Sequence, residues 1–178
     1  MHALSRLIAL AAILVIAGGT AQAADPENTI LMDVPAGRVV IELRPDLAPK
    51  TVARIKELTR RGFYDGIIFH RVIAGFMAQT GDPKGTGMGG SGQKLAAEFS
   101  KEHHVRGTVS MARAQDPNSA DSQFFICFAP APFLDGKYTI FGKVTAGMEF
   151  IDAIAKGEPP AKPDKIIKMQ VAADAKKS

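Results

Sequence analysis

Residues 69–82, with the sequence FHRVIAGFMAQTGD, predict two short β-strands joined by a turn. Apolar and β-branched residues dominate both halves, and a glycine-containing break separates them. The first strand is predicted over residues 67–73 and the second over residues 76–80. Because alternate residues of a strand face the same side, Phe69 and Arg71 share one face. This pair of strands therefore places an arginine beside large apolar side chains.

Segments of similar composition occur before and after this stretch and are joined by short turns. They cover residues 29–34, 38–43, 108–112, 123–128, 138–144 and 166–171. Two helices are also predicted, one beginning at Pro49 and ending before Gly62, and one over Met148–Lys156. Residues 81–92 contain six glycines and are predicted to form a loop. Eight mostly consecutive strands with two helices favour an antiparallel barrel or sandwich over a parallel α/β sheet.

Residues 1–23 have the three parts of a secretory signal peptide. A short, weakly basic start is followed by an apolar run over residues 7–17 and by small residues at positions 21 and 23. The apolar run is too short for a membrane-spanning helix, which needs about 20 apolar residues. We therefore expect cleavage after Ala23 and one exported domain over residues 24–178. It would be periplasmic in a cell with two membranes and otherwise secreted, without stable membrane association after cleavage.

Composition and charge exclude several classes of protein. Of the 178 residues, 22% are charged and 46% are hydrophobic, which excludes a disordered chain and a multi-span membrane protein. The net charge of +4 is spread along the chain without a basic, aromatic-rich patch, so nucleic acid is not an expected partner. The single cysteine, Cys127, excludes an internal disulfide, and its apolar neighbours predict a buried, inert thiol. A monomer is expected.

Three patterns that suggest chemical sites lack the context that such sites need. Gly85–Gly90 has the glycine spacing of dinucleotide-binding loops but does not lie at a strand-to-helix turn. His103 and His104 could bind a metal, but no other His or Cys cluster accompanies them. His70 could act as a general base, but no nucleophile motif such as G-x-S-x-G occurs. We therefore expect no cofactor, no metal and no covalent intermediate.

Four segments together form a more specific pattern. They are FHRV (69–72), GFMAQTGD (75–82), SQFFICF (122–128) and FLDGKYTIFGKV (133–144). Taken singly, each is compatible with an ordinary barrel core in which Arg71 makes a structural ion pair. In this order and at this spacing they resemble the cyclophilin-type peptidyl-prolyl cis/trans isomerases of the exported bacterial kind, over residues 29–171. The resemblance implies a mainly β fold: a closed eight-stranded antiparallel barrel with two flanking α-helices.

The same resemblance implies roles for individual residues. The catalytic group is implied to be Arg71, Phe76 and Gln79. The proline pocket is implied to consist of Phe76, Met77, Phe125 and Leu134, and the residues that orient the substrate backbone are Gln79 and Gln123. The remaining implied substrate-binding positions are Met111, Ala112, Arg113, Ala114, Phe133 and Tyr138. Asparagine, tryptophan and histidine are common in eukaryotic members where this chain has Arg113, Phe133 and Tyr138, so subsite preference is expected to differ.

The activity implied by the resemblance is rotation about X-Pro peptide bonds in exported proteins, which assists their folding. Such rotation breaks no bond, which agrees with a site that has no nucleophile motif. Arg71 is expected to stabilise the twisted amide. The alternative is a non-catalytic, chaperone-like module that binds proline-containing peptides through the same apolar groove. Activity that depends on Arg71 distinguishes the isomerase from this alternative.

Overall fold

The computed structural model describes residues 24–175, so the predicted signal peptide over residues 1–23 lies outside the described residues. Eight strands are found in the described part of the chain: β1 (Thr29–Val34), β2 (Gly37–Leu43), β3 (Arg71–Ile73), β4 (Met77–Thr80), β5 (Thr108–Met111), β6 (Phe124–Cys127), β7 (Ile140–Ala146) and β8 (Lys168–Val171). The same residues form three helices: α1 (Pro49–Arg60), α2 (Met148–Asp152) and α3 (Ala172–Ala175). Two short 3-10 helices cover Pro26–Asn28 and Pro132–Leu134.

The eight strands form one antiparallel sheet in the order β3-β4-β6-β5-β7-β2-β1-β8. Each of the eight segments predicted from the sequence overlaps one of these strands. The mainly β, antiparallel architecture is therefore confirmed.

The sheet is an open half-barrel rather than the closed barrel that the resemblance implied. Strands β3 and β8 are its two edges, and no strand ladder joins them within residues 24–175. Isolated bridges at Ile68–Lys165 and Val72–Gly157 connect the β3 side to the segment before β8. Three prolines lie between these bridges, at positions 159, 160 and 163. Proline has no N–H to donate, so this segment is unsuited to a continuous ladder.

The helices differ from the prediction in two places. The helix expected over Met148–Lys156 ends at Asp152, because the N–H of Ala155 donates to Oδ2 of Asp164 at 2.8 Å instead of continuing the helical pattern. Helix α3 follows β8 directly and was not predicted. Its four residues are too few to show helical periodicity.

Strand β6 is buried on both faces and separates two apolar clusters. Phe124 and Ile126 belong to the main core, which also contains the buried face of α1. Phe125 and Cys127 face the other side and belong to a smaller cluster, whose other buried members are Met77, Ala131 and Leu134. The continuous apolar run of β6 therefore reflects burial on both faces. Burial raises the pKa of Cys127 to about 12, so its thiol stays protonated at neutral pH.

Helix α1 is capped by a carboxylate from a distant segment. The N–H groups of Lys50 and Thr51 donate to the Glu98 carboxylate at 3.0 and 2.9 Å, and the Thr51 hydroxyl donates to it at 2.7 Å. The first N–H groups of a helix have no partner within the helix, and a negative charge there also interacts favourably with the helix dipole. Glu98 thus attaches the segment after the glycine-rich loop to α1.

A network around Asp135 holds the 3-10 helix Pro132–Leu134 against the sheet. Oδ1 of Asp135 accepts from the backbone N–H of His104 at 2.8 Å and lies 2.9 Å from its Nδ1. Oδ2 lies 2.7 Å from Nδ1 of His103. Nε2 of the buried His104 ring lies 3.0 Å from Oγ of Ser110. The same ring stacks on Phe125 with centroids 6.2 Å apart. These contacts fix the position of the 3-10 helix relative to β6.

Hydrogen bonds and burial shift the pKa values of the residues in this network. The N–H of His104, followed by the side chains of His103 and His104, holds the pKa of Asp135 well below its usual range. The hydrogen bond to Asp135 raises the pKa of His103. Burial lowers the pKa of His104.

The substitution Glu98→Ala is expected to lower the free energy of unfolding by about 1 kcal/mol, the usual cost of losing a helix N-terminal cap. Urea titration of both proteins measures the difference. Glu102→Ala, an exposed acid on the same segment, serves as the control and is expected to change stability by less than about 0.5 kcal/mol. Equal losses in the two variants would contradict the capping role.

The substitution Asp135→Asn is expected to destabilise the protein most between about pH 4 and 6.5. Because the pKa of Asp135 is lowered by folding, its contribution is complete above the unfolded value of about 3.9 and is lost as the pH falls towards the folded value. Because the pKa of His103 is raised, that contribution is complete below about 6.5 and is lost as the pH rises through the folded value. Urea titrations of both proteins across this range measure the effect. A stability difference that does not change with pH would contradict it.

Candidate active site

A cavity of about 690 Å³ opens beside β3, β4 and β6. Nine of the residues that the resemblance implied line it: Arg71, Phe76, Met77, Gln79, Ala112, Arg113, Phe125, Leu134 and Tyr138. They are brought together from strands, the 3-10 helix and the loops between them. The structure therefore assembles most of the predicted site around one cavity.

The floor of the cavity is apolar and closely packed. Met77, Phe125 and Leu134 are buried in the smaller apolar cluster. Phe76 and Tyr138 pack against the same cluster. The Phe125 and Tyr138 rings meet edge to face with centroids 6.0 Å apart. This floor is shaped to hold a small apolar group and to keep water from it.

A row of polar side chains crosses the cavity beside this floor. Nη1 of Arg71 donates a long hydrogen bond of 3.4 Å to Oε1 of Gln79, and Nε2 of Gln79 donates to Oε1 of Gln123 at 2.9 Å. The strand register produces this row, since Arg71 is the cross-strand partner of Gln79 and Gln79 is the partner of Phe125. Gln123 shares its strand face with Phe125, as the sequence predicted. The row thus follows from the pairing of β3, β4 and β6.

The first half of the glycine-rich loop is held by the carboxylate of Asp82. Asp82 accepts hydrogen bonds from the N–H groups of Lys84, Thr86 and Gly87 at 2.8, 3.0 and 2.6 Å. Burial opposes the ionisation of Asp82, but these N–H groups hold its pKa below the usual value. The loop carbonyls then accept from Nε2 of Gln123, with Gly87 at 2.9 Å and Gly89 at 2.8 Å. The loop predicted to be irregular is therefore fixed to the polar row.

The start of this loop requires a glycine. Gly81 has a positive φ of 88°, and a Cβ there would lie 2.4 Å from the carbonyl oxygen of Ser122. The hydroxyl of Ser122 donates to the carbonyl of Gly81 at 2.7 Å. The two segments can approach this closely only because position 81 has no side chain.

A second cavity of about 420 Å³ adjoins the first and contains two more predicted residues, Ala114 and Gln123. Arg113 borders both cavities. Its guanidinium lies 4.4 Å from the centre of the Tyr138 ring and donates to the backbone carbonyls of Ala114, Gln115 and Lys137. Arg113 and Tyr138, two of the positions that depart from the common pattern, are thus in contact with each other.

Two predicted residues line neither cavity as the structure describes them. The side chain of Met111 is buried in the main core, because it lies on the opposite face of β5. Phe133 is 60% exposed, and its ring packs against Phe76 at the rim with centroids 5.3 Å apart. Met111 therefore supports the strand beneath the site, and Phe133 extends the apolar surface outside it.

Six residues that the sequence did not assign to the site also line the first cavity: His70, Gly85, Thr86, Gly87, Glu158 and Pro159. His70 is buried, and neither ring nitrogen has a hydrogen-bond partner among residues 24–175. Burial lowers its pKa, so the imidazole is neutral at pH 7. Glu158 accepts from Nε of Arg71 at 2.7 Å. No local signal could have identified Glu158, since it is 87 residues from Arg71 in the sequence.

Within residues 24–175, no group of three or more His, Cys, Asp and Glu side chains has an arrangement that could hold a metal ion. The described helices include none that is long and apolar enough to cross a membrane.

Comparison with protein families and curated proteins gives consistent matches. The family model of cyclophilin type peptidyl-prolyl cis-trans isomerases matches residues 29–171. A probable peptidyl-prolyl cis-trans isomerase of Brucella suis is 56% identical over 174 residues, which covers 88% of this chain and 89% of that protein. The peptidyl-prolyl cis-trans isomerase-like 1 protein of Rhizopus delemar is 49% identical over 127 residues, covering 68% and 76%.

Solved structures of cyclophilins share this fold. A cyclophilin of Hirschia baltica matches with a TM-score of 0.79 and 31% identity, covering 85% of this chain and 76% of its own. A cyclophilin type isomerase of Cryptosporidium parvum, solved in the presence of the dipeptide Ala-Pro, matches with a TM-score of 0.75 and 33% identity, covering 80% and 98%. The family match spans every strand of the sheet that builds the cavity. The chain accordingly belongs to the cyclophilin family and is an enzyme of the peptidyl-prolyl cis-trans isomerase class.

Proposed function

We propose that this isomerase binds X-Pro segments of exported proteins in the cavity over Phe125 and accelerates rotation of the X-Pro bond through Arg71. The position of Arg71 carries the proposal. Its guanidinium lies at the edge of an apolar pocket and is held by Gln79 and Glu158. Nη2 has no hydrogen-bond partner among residues 24–175 and is available to a substrate.

The reaction requires a lower rotational barrier and no bond cleavage. Resonance gives the peptide C–N bond partial double-bond character and a barrier of about 18–20 kcal/mol. For X-Pro bonds the cis form is only about 0.5–1 kcal/mol above the trans form, yet exchange takes tens to hundreds of seconds. A site that stabilises the twisted amide is therefore sufficient for catalysis.

Arg71 supplies that stabilisation in the proposed mechanism. When the amide twists, resonance is lost and the lone pair localises on the prolyl nitrogen, which becomes a better hydrogen-bond acceptor. A fixed guanidinium beside this nitrogen binds the twisted state more strongly than the planar one. Arginine suits the task because its planar fork stays protonated at any ordinary pH.

The apolar floor and the polar row have separate tasks. Met77, Phe125 and Leu134 enclose the pyrrolidine ring, which holds one side of the amide while the acyl side rotates. Exclusion of water by these residues also strengthens the field of the guanidinium. Gln79 and Gln123 orient the substrate backbone. The Ala-Pro dipeptide present with the Cryptosporidium parvum relative supports proline-containing peptides as substrates.

The proposal also covers where the protein acts and in which oligomeric state. The sequence of residues 1–23 supports secretion to the periplasm, or to the medium from a single-membrane cell, where a folding helper meets newly exported chains. We propose that the mature protein acts as a monomer. The alternative, a non-catalytic chaperone-like module, uses the same groove but requires no role for Arg71.

The substitution Arg71→Ala is expected to lower kcat/KM for cis/trans exchange of a short Ala-Pro peptide by roughly 10²–10³, the usual cost of one preorganised donor. Arg71→Lys keeps the charge and loses the planar fork, so its activity is expected to fall between the two. Exchange spectroscopy measures the rate, and titration of the same peptide measures binding.

The control is Arg38→Ala, which removes an exposed arginine paired with Asp33 on the β1–β2 hairpin, outside the cavity. It is expected to keep full activity. If Arg71→Ala remains folded and active, the proposed role of Arg71 is wrong. If the wild type binds peptide without accelerating exchange, the binding-module alternative replaces the proposal.

Expression of the full chain in a bacterium with two membranes is expected to yield a periplasmic protein whose first residue is Ala24. Fractionation followed by N-terminal sequencing checks both points. The substitution Ala23→Phe places a large residue where the cleavage site needs a small one, so it is expected to leave an uncleaved precursor. A wild-type protein that stays in the cytoplasm with Met1 in place would contradict export.

A further inference from the structure

The position of Glu158 beside Arg71 is set by backbone pairing. The N–H of Val72 donates to the carbonyl of Gly157 at 2.8 Å, and the N–H of Gly157 donates back to the carbonyl of Val72 at 2.9 Å. Glu158 follows Gly157, just as Arg71 precedes Val72, so the two side chains are cross-strand neighbours. Position 157 requires glycine, because φ is +147° and a Cβ would lie 2.6 Å from Cα of Pro160.

Glu158 lies in the loop over residues 157–164, and the far end of this loop is anchored by contacts of its own. The carbonyl of Asp164 accepts from the N–H of Phe69 at 2.8 Å, and its Oδ2 accepts from the N–H of Ala155 at 2.8 Å. Neither contact involves Glu158 or Arg71. Substitution of Glu158 is therefore expected to leave the loop and the fold intact.

Glu158 supplies the single carboxylate among the described residues that line the first cavity. Two guanidinium groups, Arg71 and Arg113, line the same cavity. Arg113 donates to backbone carbonyls and is not paired with a carboxylate within residues 24–175. Glu158 therefore provides the negative charge beside the two arginines of this cavity.

The Glu158 carboxylate retains capacity for a further cation. Oε1 accepts from Nε of Arg71 at 2.7 Å, and no hydrogen bond from residues 24–175 occupies Oε2. The side chain is 54% exposed, so an incoming side chain can reach it from solvent.

We propose that Glu158 is a specificity-determining residue that favours a basic residue, and disfavours an acidic one, directly before the isomerised proline. This rests on the proposed function, which places the prolyl nitrogen beside Arg71. The side chain of the preceding residue begins three bonds from that nitrogen, whereas the side chain after proline begins five bonds away. The residue before proline is therefore the nearer to Glu158.

The size of the effect follows from the exposure of the pair. Interactions between exposed charges at a protein surface correspond to about a two- to fivefold change in an equilibrium or rate ratio. Salt screens them, since the Debye length falls from about 10 Å at 0.1 M to about 3 Å at 1 M. Selection by Glu158 is thus expected to be modest and to disappear at high salt.

The test compares kcat/KM for three neutral-capped peptides that differ only before proline: Lys-Pro, Ala-Pro and Glu-Pro. The ratio of the Lys-Pro to the Glu-Pro value is expected to be about two- to fivefold higher in the wild type than in Glu158→Gln. Glu158→Lys is expected to lower the ratio further. In about 1 M NaCl the wild type and Glu158→Gln are expected to give the same ratio.

The matched control is Glu42→Gln, which removes the same charge from an exposed position on β2, outside the cavity. It is expected to keep the wild-type ratio. An unchanged ratio in both Glu158 variants would overturn the proposal, as would an equal loss for all three peptides, which would mean that Glu158 only orients Arg71. The Ala-Pro peptide distinguishes failure of this proposal from failure of the proposed function. If the wild type accelerates exchange of Ala-Pro but the Lys-Pro to Glu-Pro ratio does not depend on Glu158, the isomerase mechanism stands and only the role of Glu158 is wrong.

Discussion

The burial of β6 on both faces connects the main core to the floor of the cavity. Phe124 and Ile126 lock the strand into the main core, so Phe125 and Cys127 are held on the opposite face without freedom to slip. A shift by one residue would exchange the two faces and place Phe125 in the core. The cavity floor is therefore as rigid as the core behind it. His104 adds a second support by stacking on Phe125 while it is bonded to Asp135.

The polar row depends on the same register. Arg71, Gln79 and Phe125 lie on neighbouring strands at paired positions, so a guanidinium, an amide and an aromatic ring meet on one face. Gln123 extends the row to the glycine-rich loop, whose N–H groups donate to Asp82. Backbone pairing thus sets the positions of Arg71 and Gln79, and hydrogen bonds among the side chains of Arg71, Gln79 and Gln123 hold the row together. This preorganisation is what electrostatic stabilisation of a twisted amide requires.

The strand segments could be predicted because their signals are local, whereas the residues of the apolar floor were implied by the family resemblance. Alternation along β4 and β6 determines which of their side chains share a face, and glycines mark where strands end. The expected shared face of Phe69 and Arg71 is wrong, because β3 begins only at Arg71 and Phe69 lies in the main core. The contacts of Glu98 with Thr51 and of Glu158 with Arg71 could not be predicted, since 47 and 87 residues separate the partners. The burial of the Met111 side chain was not anticipated for a related reason. Its neighbours Ala112 and Arg113 line the cavity, but the alternation of β5 turns Met111 into the core.

The departure from a closed barrel and the acid beside Arg71 have one origin. In a closed sheet, Val72 would pair with a strand whose alternate side chains are buried in the core. In this chain Val72 pairs with Gly157, the first residue of a proline-containing loop, and the residue that reaches Arg71 belongs to that loop. Loops tolerate substitution far better than core strands. The open edge therefore allows the charge beside Arg71 to be changed without disturbing β6 or the floor, so a rigid pocket is combined with an adjustable rim.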